Sequence, residues 1–480
     1  MIAAAMMFLA AAMAVPAIFA FVNDETDAAV AFAALAVICA AILGISFLAI
    51  LNLKWQQPVR LKKRNSYLIL LVTVLIVLVV SALPWYMSGN DFTLVDCWFE
   101  SVSGWTTTGA SVLNQAIMPH SLILWKAICS WAGGLILIIL AVTVFPRLGI
   151  ISEVISDDPR TENAGMVSPR TKDAMKLALA IYAVLTVLGF LVILPSGCGI
   201  FPSVIFSLSC VSTTGTVEYH AAFPITVTAY LRIVTALLAF LASFNYFFYF
   251  NLAERKIKKA LREYEVRQYL ILIAASIYMV GLLLFLQIGG SDVMGLLTNA
   301  IVYVLSFASS TGFAFRADAD IPSASAIVLL VCGIIGGCSI SSSSGLKIGR
   351  VVTSIKLVIR GIYKRIHPSA VKPVTVGKRT LSPDKSSFIA AYIMLFFLVF
   401  IAGLVLMSIE NQDMSTTLTS TICAYTNCGS FFGKMNTADF SIFSVYGRIV
   451  SSILMIIGRL EIYPVIMLLS RSFWNPERSR

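Results

Sequence analysis

Near-continuous apolar runs, each about 20 residues long, recur along the whole chain, and this is the length a helix needs to cross roughly 30 Å of hydrocarbon. In lipid every backbone N–H and C=O must be satisfied within the segment, so such runs form helices. Ten of them fit, at residues 2–22, 28–53, 66–88, 121–146, 173–195, 224–251, 269–288, 324–355, 387–409 and 442–470. Only 12% of the 480 residues are charged, about half the share of an ordinary soluble protein. The small residues Ala14, Ala17 and Ala20 near the N-terminus would suit a signal peptide. No basic segment precedes that run, however, and a second one follows from Ala28 to Leu53, so a retained helix pair is expected.

The net charge of +11 does not point to nucleic acid once its distribution is considered. Five clusters, Lys54–Arg64, Arg147–Lys176, Arg255–Arg267, Lys347–Lys385 and Arg471–Arg480, hold 29 of the 35 Lys and Arg residues. The intervening polar segments are poor in them and include acidic Asp24, Glu25 and Asp27. This alternation follows the positive-inside rule and puts both termini and all five clusters on the cytoplasmic side. The nine cysteines form no CxxC pair, and only His120, His220 and His367 are histidines, so neither a disulfide framework nor a structural metal is expected.

Between spans three and four, five and six, seven and eight, and nine and ten, the chain makes an outward excursion of one pattern. A short apolar run leads into a Ser/Thr-rich string ending in Gly, and a polar stretch returns to the next span. The strings are Thr106-Thr107-Thr108-Gly109-Ala110-Ser111, Ser212-Thr213-Thr214-Gly215-Thr216, Ser309-Ser310-Thr311-Gly312-Phe313 and Tyr425-Thr426-Asn427-Cys428-Gly429-Ser430. Their glycines lie 106, 97 and 117 residues apart, a repeat of helix, re-entrant loop and helix. The preceding runs, Trp98–Gly104, Val204–Val211, Met294–Ala308 and Thr416–Ala424, are too short to span and suit helices that enter the membrane and return. A Ser/Thr-capped extracellular loop explains any single string, but four in one topological position do not fit that account.

Non-helical backbone at membrane depth is tolerated only inside protein or against a watery cavity. Four such loops around one axis would offer rings of carbonyls that replace the hydration shell of a K⁺ ion. Gly reaches the backbone conformations these turns need. The strings hold no Asp or Glu, which disfavours Ca²⁺ or Mg²⁺. An all-α integral membrane fold follows, with the helix pair at 1–58 and repeats at 59–160, 161–262, 263–375 and 376–480.

The chain resembles the Trk/Ktr/HKT superfamily of K⁺ transporters, most closely its TrkH-like branch, from about residue 60 onward. The strings that carry the resemblance are Phe99-Glu100-Ser101-Val102-Ser103-Gly104-Trp105-Thr106-Thr107-Thr108-Gly109-Ala110, Gly336-Gly337-Cys338-Ser339 with Gly345-Leu346-Lys347, Arg365-Ile366-His367-Pro368, and Gly458-Arg459-Leu460-Glu461-Ile462. The resemblance implies a single-chain pseudo-fourfold pore, a homodimer, and a cytoplasmic nucleotide-binding regulatory subunit of the TrkA or KtrA type. It also implies that K⁺ is held by carbonyls at Thr107 and Thr108, Thr213 and Thr214, Ser310 and Thr311, and Asn427 and Cys428, beside Gly109, Gly215, Gly312 and Gly429. Two departures stand out: Thr214 replaces a common second Gly, and the fourth string reads Asn-Cys-Gly-Ser.

Span eight is interrupted by Gly336-Gly337-Cys338-Ser339-Ile340-Ser341-Ser342-Ser343-Ser344-Gly345, a poor helix former. The run is either a structural kink or a loop beneath the filter that opens and closes the path. The resemblance favours a gate of Gly336, Gly337, Ser339, Gly345, Lys347 and Arg459. Arg459, mid-span, is costly in lipid, so it faces protein or water. It either pairs with a carboxylate, Glu461 being two residues on, or turns to the pore as a barrier to cations. Glu100 is expected to support the first short helix rather than touch an ion. The basic surface of Lys347–Lys385 with Arg255–Arg267 suits anionic lipid, docking of the regulatory subunit, or both.

The expected function is inward K⁺ conduction in a bacterial cytoplasmic membrane, with Na⁺ or mixed transport, or symport with H⁺ or Na⁺, as the alternative. No organic cofactor is expected. An organic-solute carrier built on inverted repeats fits less well, because each repeat starts from the cytoplasm. Enzyme chemistry lacks support: there is no HExxH string, no paired intramembrane carboxylates and no Ser/His constellation.

Overall fold

The computed structural model describes residues 2–52, 63–90, 92–143, 169–215, 227–288, 293–313, 321–369, 373–377, 379–429, 439–469 and 474. The basic clusters Lys54–Arg64, Arg147–Lys176 and Arg471–Arg480 lie largely outside these residues, as do Thr216, Ser430 and the expected boundaries at 58 and 160.

Two helices, α1 (Ile2–Val22) and α2 (Thr26–Asn52), pack as a pair. The turn between them sits on the first repeat: Glu25 accepts from the backbone N–H of His120 at 2.8 Å and of Ser121 at 3.1 Å. The pair thereby satisfies N–H groups that the helix starting at His120 leaves without partners in its first turn. The repeats follow. The first is α3 (Lys63–Met87), α4 (Leu94–Trp105) and α5 (His120–Thr143). The second is α6 (Pro169–Ile193), α7 (Ile200–Ser212), α8 (Ala229–Ala242) and α9 (Tyr246–Ala253). A short helix α10 (Ile257–Leu261) leads to the third, α11 (Tyr264–Ile288), α12 (Val293–Ala308), α13 (Ser323–Ile335) and α14 (Ile348–Ile366). A two-residue β-ladder, Thr375–Val376 against Arg379–Thr380, precedes the fourth. That repeat is α15 (Pro383–Met407), α16 (Met414–Thr426), α17 (Val445–Arg459) and α18 (Ile462–Leu469). The expected fold holds: a helical chain of four recurring units behind an N-terminal pair.

Among the described residues six helices are long and apolar enough to cross a membrane, or eight if two bent pairs count as single spans. Three of the ten expected spans are not straight. The sixth turns by 89° between α8 and α9, where the Asn245 side chain accepts from the N–H of Phe247 and starts a new helix. The tenth turns by 114° after Arg459, with Glu461 in the left-handed region at φ 64°. The eighth ends at Ile335, and α14 begins afresh beyond a twelve-residue loop, 336–347. The corner of the sixth carries neither Pro nor Gly, and although Gly458 and Pro464 flank that of the tenth, hydropathy alone reads straight through both.

Candidate functional site: four converging turns above a serine-rich loop

The half-helices α4, α7, α12 and α16 all end in the same way. Each is followed by a residue in the left-handed region: Thr107 at φ 56°, Thr213 at 57°, Ser310 at 58° and Asn427 at 54°. The next residue's N–H then donates to the carbonyl five positions back, Thr108 to Ser103, Thr214 to Ser209, Thr311 to Ser306 and Cys428 to Cys423, each at 2.9 Å. A β-branched residue at positive φ is strained, so Thr107 and Thr213 persist there only because their surroundings hold them. Four copies of one uncommon turn mark it as a selected feature.

Side chains brace three of the turns. The hydroxyls of Thr106 and Thr108 lie 2.7 Å apart, those of Ser212 and Thr214 2.9 Å, and those of Ser309 and Thr311 2.6 Å. Cys428 occupies the matching place in the fourth turn, and Asn427 supplies a different brace. Its Nδ2 donates to Thr108 Oγ1 and to the Met455 carbonyl, both at 3.0 Å.

The glycines show that the turns meet. A Cβ built on Gly109 would overlap the carbonyl oxygen of Gly215, one on Gly215 that of Thr311, and one on Gly429 that of Thr108. Segment one therefore abuts segment two, two abuts three, and four abuts one, backbone against backbone. Only a residue without Cβ permits that approach. Gly133 and Gly458 serve the outer packing in the same way, each facing the last carbonyls of a half-helix, Trp105 and Tyr425 respectively.

Glu100 on α4 is buried and holds the strand that leaves the first turn. It accepts from Ser111 Oγ at 2.7 Å and from the N–H groups of Val112 and Leu113 at 2.8 and 3.2 Å. Its other oxygen pairs with Lys126 Nζ at 2.6 Å, and that ammonium also donates to the Ala110 carbonyl at 2.9 Å. From the sequence Glu100 is expected to support the short helix it sits on; its bonds instead run to the segment after the turn and to Lys126.

The loop 336–347 lies against the second and third turns and folds back on itself. Leu346 and Lys347 donate from their backbone to Ile334 and Ile335, and a Cβ on Gly336, at φ 67°, would overlap the Ser344 carbonyl. Ser344 N–H donates to the side chain of Ser310, a turn residue, at 2.8 Å. Ser342 Oγ lies 3.1 Å from the carbonyl of Val211 and 2.9 Å from that of Ala242. From the other side Arg459 Nη1 donates to Ser342 O at 2.7 Å and meets Ser344 Oγ at 2.9 Å. Lys347 Nζ donates to Ser343 O within the loop, while Ser339 N–H donates to Glu265, which also holds Asn245.

The structure thus brings Thr107, Thr108, Gly109, Thr213, Thr214, Gly215, Ser310, Thr311, Gly312, Asn427, Cys428 and Gly429 into one constellation. It places Gly336, Gly337, Ser339, Gly345, Lys347 and Arg459 in or against the loop beside it. A pairing of Arg459 with Glu461 is not what forms: Glu461 binds Arg350 at 2.8 Å, and Arg350 stacks on Tyr392. Residues two apart do not share a helix face, and the chain turns sharply between these two. Arg459 Nε and Nη2 and Asn427 Oδ1 are buried with no hydrogen-bond partner among the described residues. Ser342, Ser344, Glu265, Asn245 and Arg350 were not singled out from the sequence. The serine run was visible there as a helix breaker, whereas the other three carry no local signal.

The family model of TrkH, described as a cation transport protein, matches residues 32–475. The chain is 27% identical over 425 residues to the Trk system potassium uptake protein TrkH of Halomonas elongata, covering 86% of this chain and 87% of that one. It is 27% identical over 425 residues to TrkG of Escherichia coli, covering 88% and 87%. The crystal structure of the potassium transporter TrkH from Vibrio parahaemolyticus superposes with a TM-score of 0.88 over 98% of both chains, at 22% identity, and so shares the fold.

Proposed function

This chain belongs to the TrkH family of cation transport proteins, and from that premise we propose that it is the pore-forming membrane subunit of a K⁺ uptake system. The observation that carries the proposal is the abutment of glycine-bearing turns in the order one, two, three and four to one. With the hydroxyls of Thr108, Thr214 and Thr311 paired to a neighbouring hydroxyl and that of Thr213 to the Ser212 carbonyl, the peptide oxygens at Thr107, Thr108, Thr213, Thr214, Ser310, Thr311, Asn427 and Cys428 are the groups offered to a dehydrated cation. Carbonyl oxygens suit K⁺. Half-helices whose C-terminal ends run into the turns add partial negative charge there.

The loop 336–347, with Arg459, is the barrier in this reading. The guanidinium bonds Ser342 and Ser344 through Nη1 alone, its Nε and Nη2 being buried without a partner among the described residues, which keeps its charge at the loop. Its charge opposes an approaching K⁺ until the loop moves. The repeats at 59–160, 161–262, 263–375 and 376–480 each supply one turn. The subunit works as a homodimer under a cytoplasmic nucleotide-binding ring, with both termini on the same cytoplasmic side.

The test is growth rescue of a K⁺-uptake-deficient bacterium at low K⁺, with Rb⁺ uptake and Na⁺ competition measured in parallel and a regulatory subunit co-expressed. Rescue that resists Na⁺ supports K⁺ uptake. Transport that prefers Na⁺ moves the assignment to a Na⁺ pathway, and no transport with any partner rejects it.

A further inference from the structure

A cavity of about 270 Å³ lies to one side of the turns, between the first and fourth repeats. Val74 of α3, Leu137 of α5 and Ile456 of α17 form its walls, and Ala5 of α1 adds to them. Trp105, Thr106 and Arg459 also line it, and these belong to or touch the constellation described above. The stretches of α1, α3 and α5 concerned fall within Ala5–Val22, Leu68–Met87 and His120–Ala141, all long and apolar enough to span a membrane. The cavity is therefore at hydrocarbon depth. Ile136 on its lining is 37% exposed.

Its few polar side chains other than Arg459 are already engaged. Thr73 donates to the Ile69 carbonyl at 2.6 Å, Thr106 to Val102 at 2.7 Å, and Trp105 Nε1 to Ser81 Oγ at 2.8 Å. Water needs two to four polar partners to settle, and an aliphatic cavity of about 150 Å³ stays dry and takes up benzene instead. This cavity is larger, and the unpartnered Nε and Nη2 of Arg459 are buried and not open to it. The solvent at that depth is acyl chain.

We propose that the cavity is a binding site for one acyl tail of a bilayer phospholipid, which enters between the first and fourth repeats and packs against Trp105, Thr106 and Arg459. The tail then touches the brace of the first turn and the arginine that holds Ser342 and Ser344, so lipid composition bears on both.

The claim does not rest on the pore reading. The full chain is reconstituted in phosphatidylethanolamine–phosphatidylglycerol vesicles doped with a phosphatidylcholine that carries a diazirine on one acyl chain. After irradiation, adducts are mapped by mass spectrometry. Leu78 and Leu140, which line the cavity and are only 1% and 9% exposed, are expected to be labelled. Exposed Val72 and Val79 report ordinary lipid contact and correct insertion. Leu137→Trp, or Val74→Phe as a second filling variant, is expected to cut the Leu78 and Leu140 adducts about tenfold, equivalent to about 1.4 kcal/mol, and to leave Val72 and Val79 unchanged. Labelling confined to Val72 and Val79, or labelling of Leu78 that neither variant reduces, overturns the site. Absent Rb⁺ flux with the adducts intact counts against the transport reading alone.

Discussion

Asn427 and Thr108, 319 residues apart in sequence, are joined at 3.0 Å by an amide donating to a hydroxyl, which ties the fourth turn to the first. In the other three turns a hydroxyl pair within the segment does the bracing. The fourth, where Cys428 replaces the hydroxyl, is braced from outside, by its neighbour in the ring and by Met455.

Asn427→Ala removes both bonds, and Thr108 keeps only its bond to Thr106. Each buried hydrogen bond contributes about 0.5–1.5 kcal/mol. The expected outcome is a fall of about tenfold in K⁺ preference over Na⁺, read from Na⁺ competition against Rb⁺ uptake in proteoliposomes. Unaltered competition would show that this brace does not set the geometry that selects.

Gly109→Ala places a methyl group on the Gly215 carbonyl, at a backbone φ of 81° that already disfavours a side chain. The left-handed conformation alone costs about 1–2 kcal/mol, and the overlap adds to it. Rb⁺ flux is expected to fall to the level of empty vesicles while the detergent-purified protein stays monodisperse. Wild-type flux in this variant would mean that the first and second turns need not touch for transport.

Arg459→Ala frees Ser342 and Ser344 and takes a positive charge from beside the loop. With each lost contact worth about 1 kcal/mol, flux is expected to rise about tenfold with selectivity retained. Unchanged flux in the reconstituted assay would remove Arg459 from the gate.

Glu100→Gln leaves the Lys126 ammonium in a site where both side chains are under 5% exposed. Breaking a buried pair on one side costs about 3–5 kcal/mol, whereas replacing both members by apolar groups is often neutral. Thermal unfolding in detergent is expected to drop sharply for Glu100→Gln. It should recover in part for Glu100→Gln with Lys126→Met, because the Gln oxygen still accepts from Ser111, Val112 and Leu113 while the unpaired ammonium is gone, leaving only the Lys126 bond to the Ala110 carbonyl lost. A double variant no better than the single one would show that the unpaired ammonium is not what destabilises Glu100→Gln.

Membrane residence, the four units and the turn residues were legible in the sequence because each rests on a local requirement. Hydrocarbon thickness sets the length of an apolar run, and a positive φ or a backbone contact demands glycine at Gly109, Gly215, Gly312 and Gly429. Tertiary structure alone decided the corners at Asn245 and Glu461, the choice of Arg350 over Arg459 as the partner of Glu461, and the bond from Asn427 to Thr108. Those features depend on which helix packs beside which across hundreds of residues. Hydropathy and spacing report only what each stretch prefers by itself.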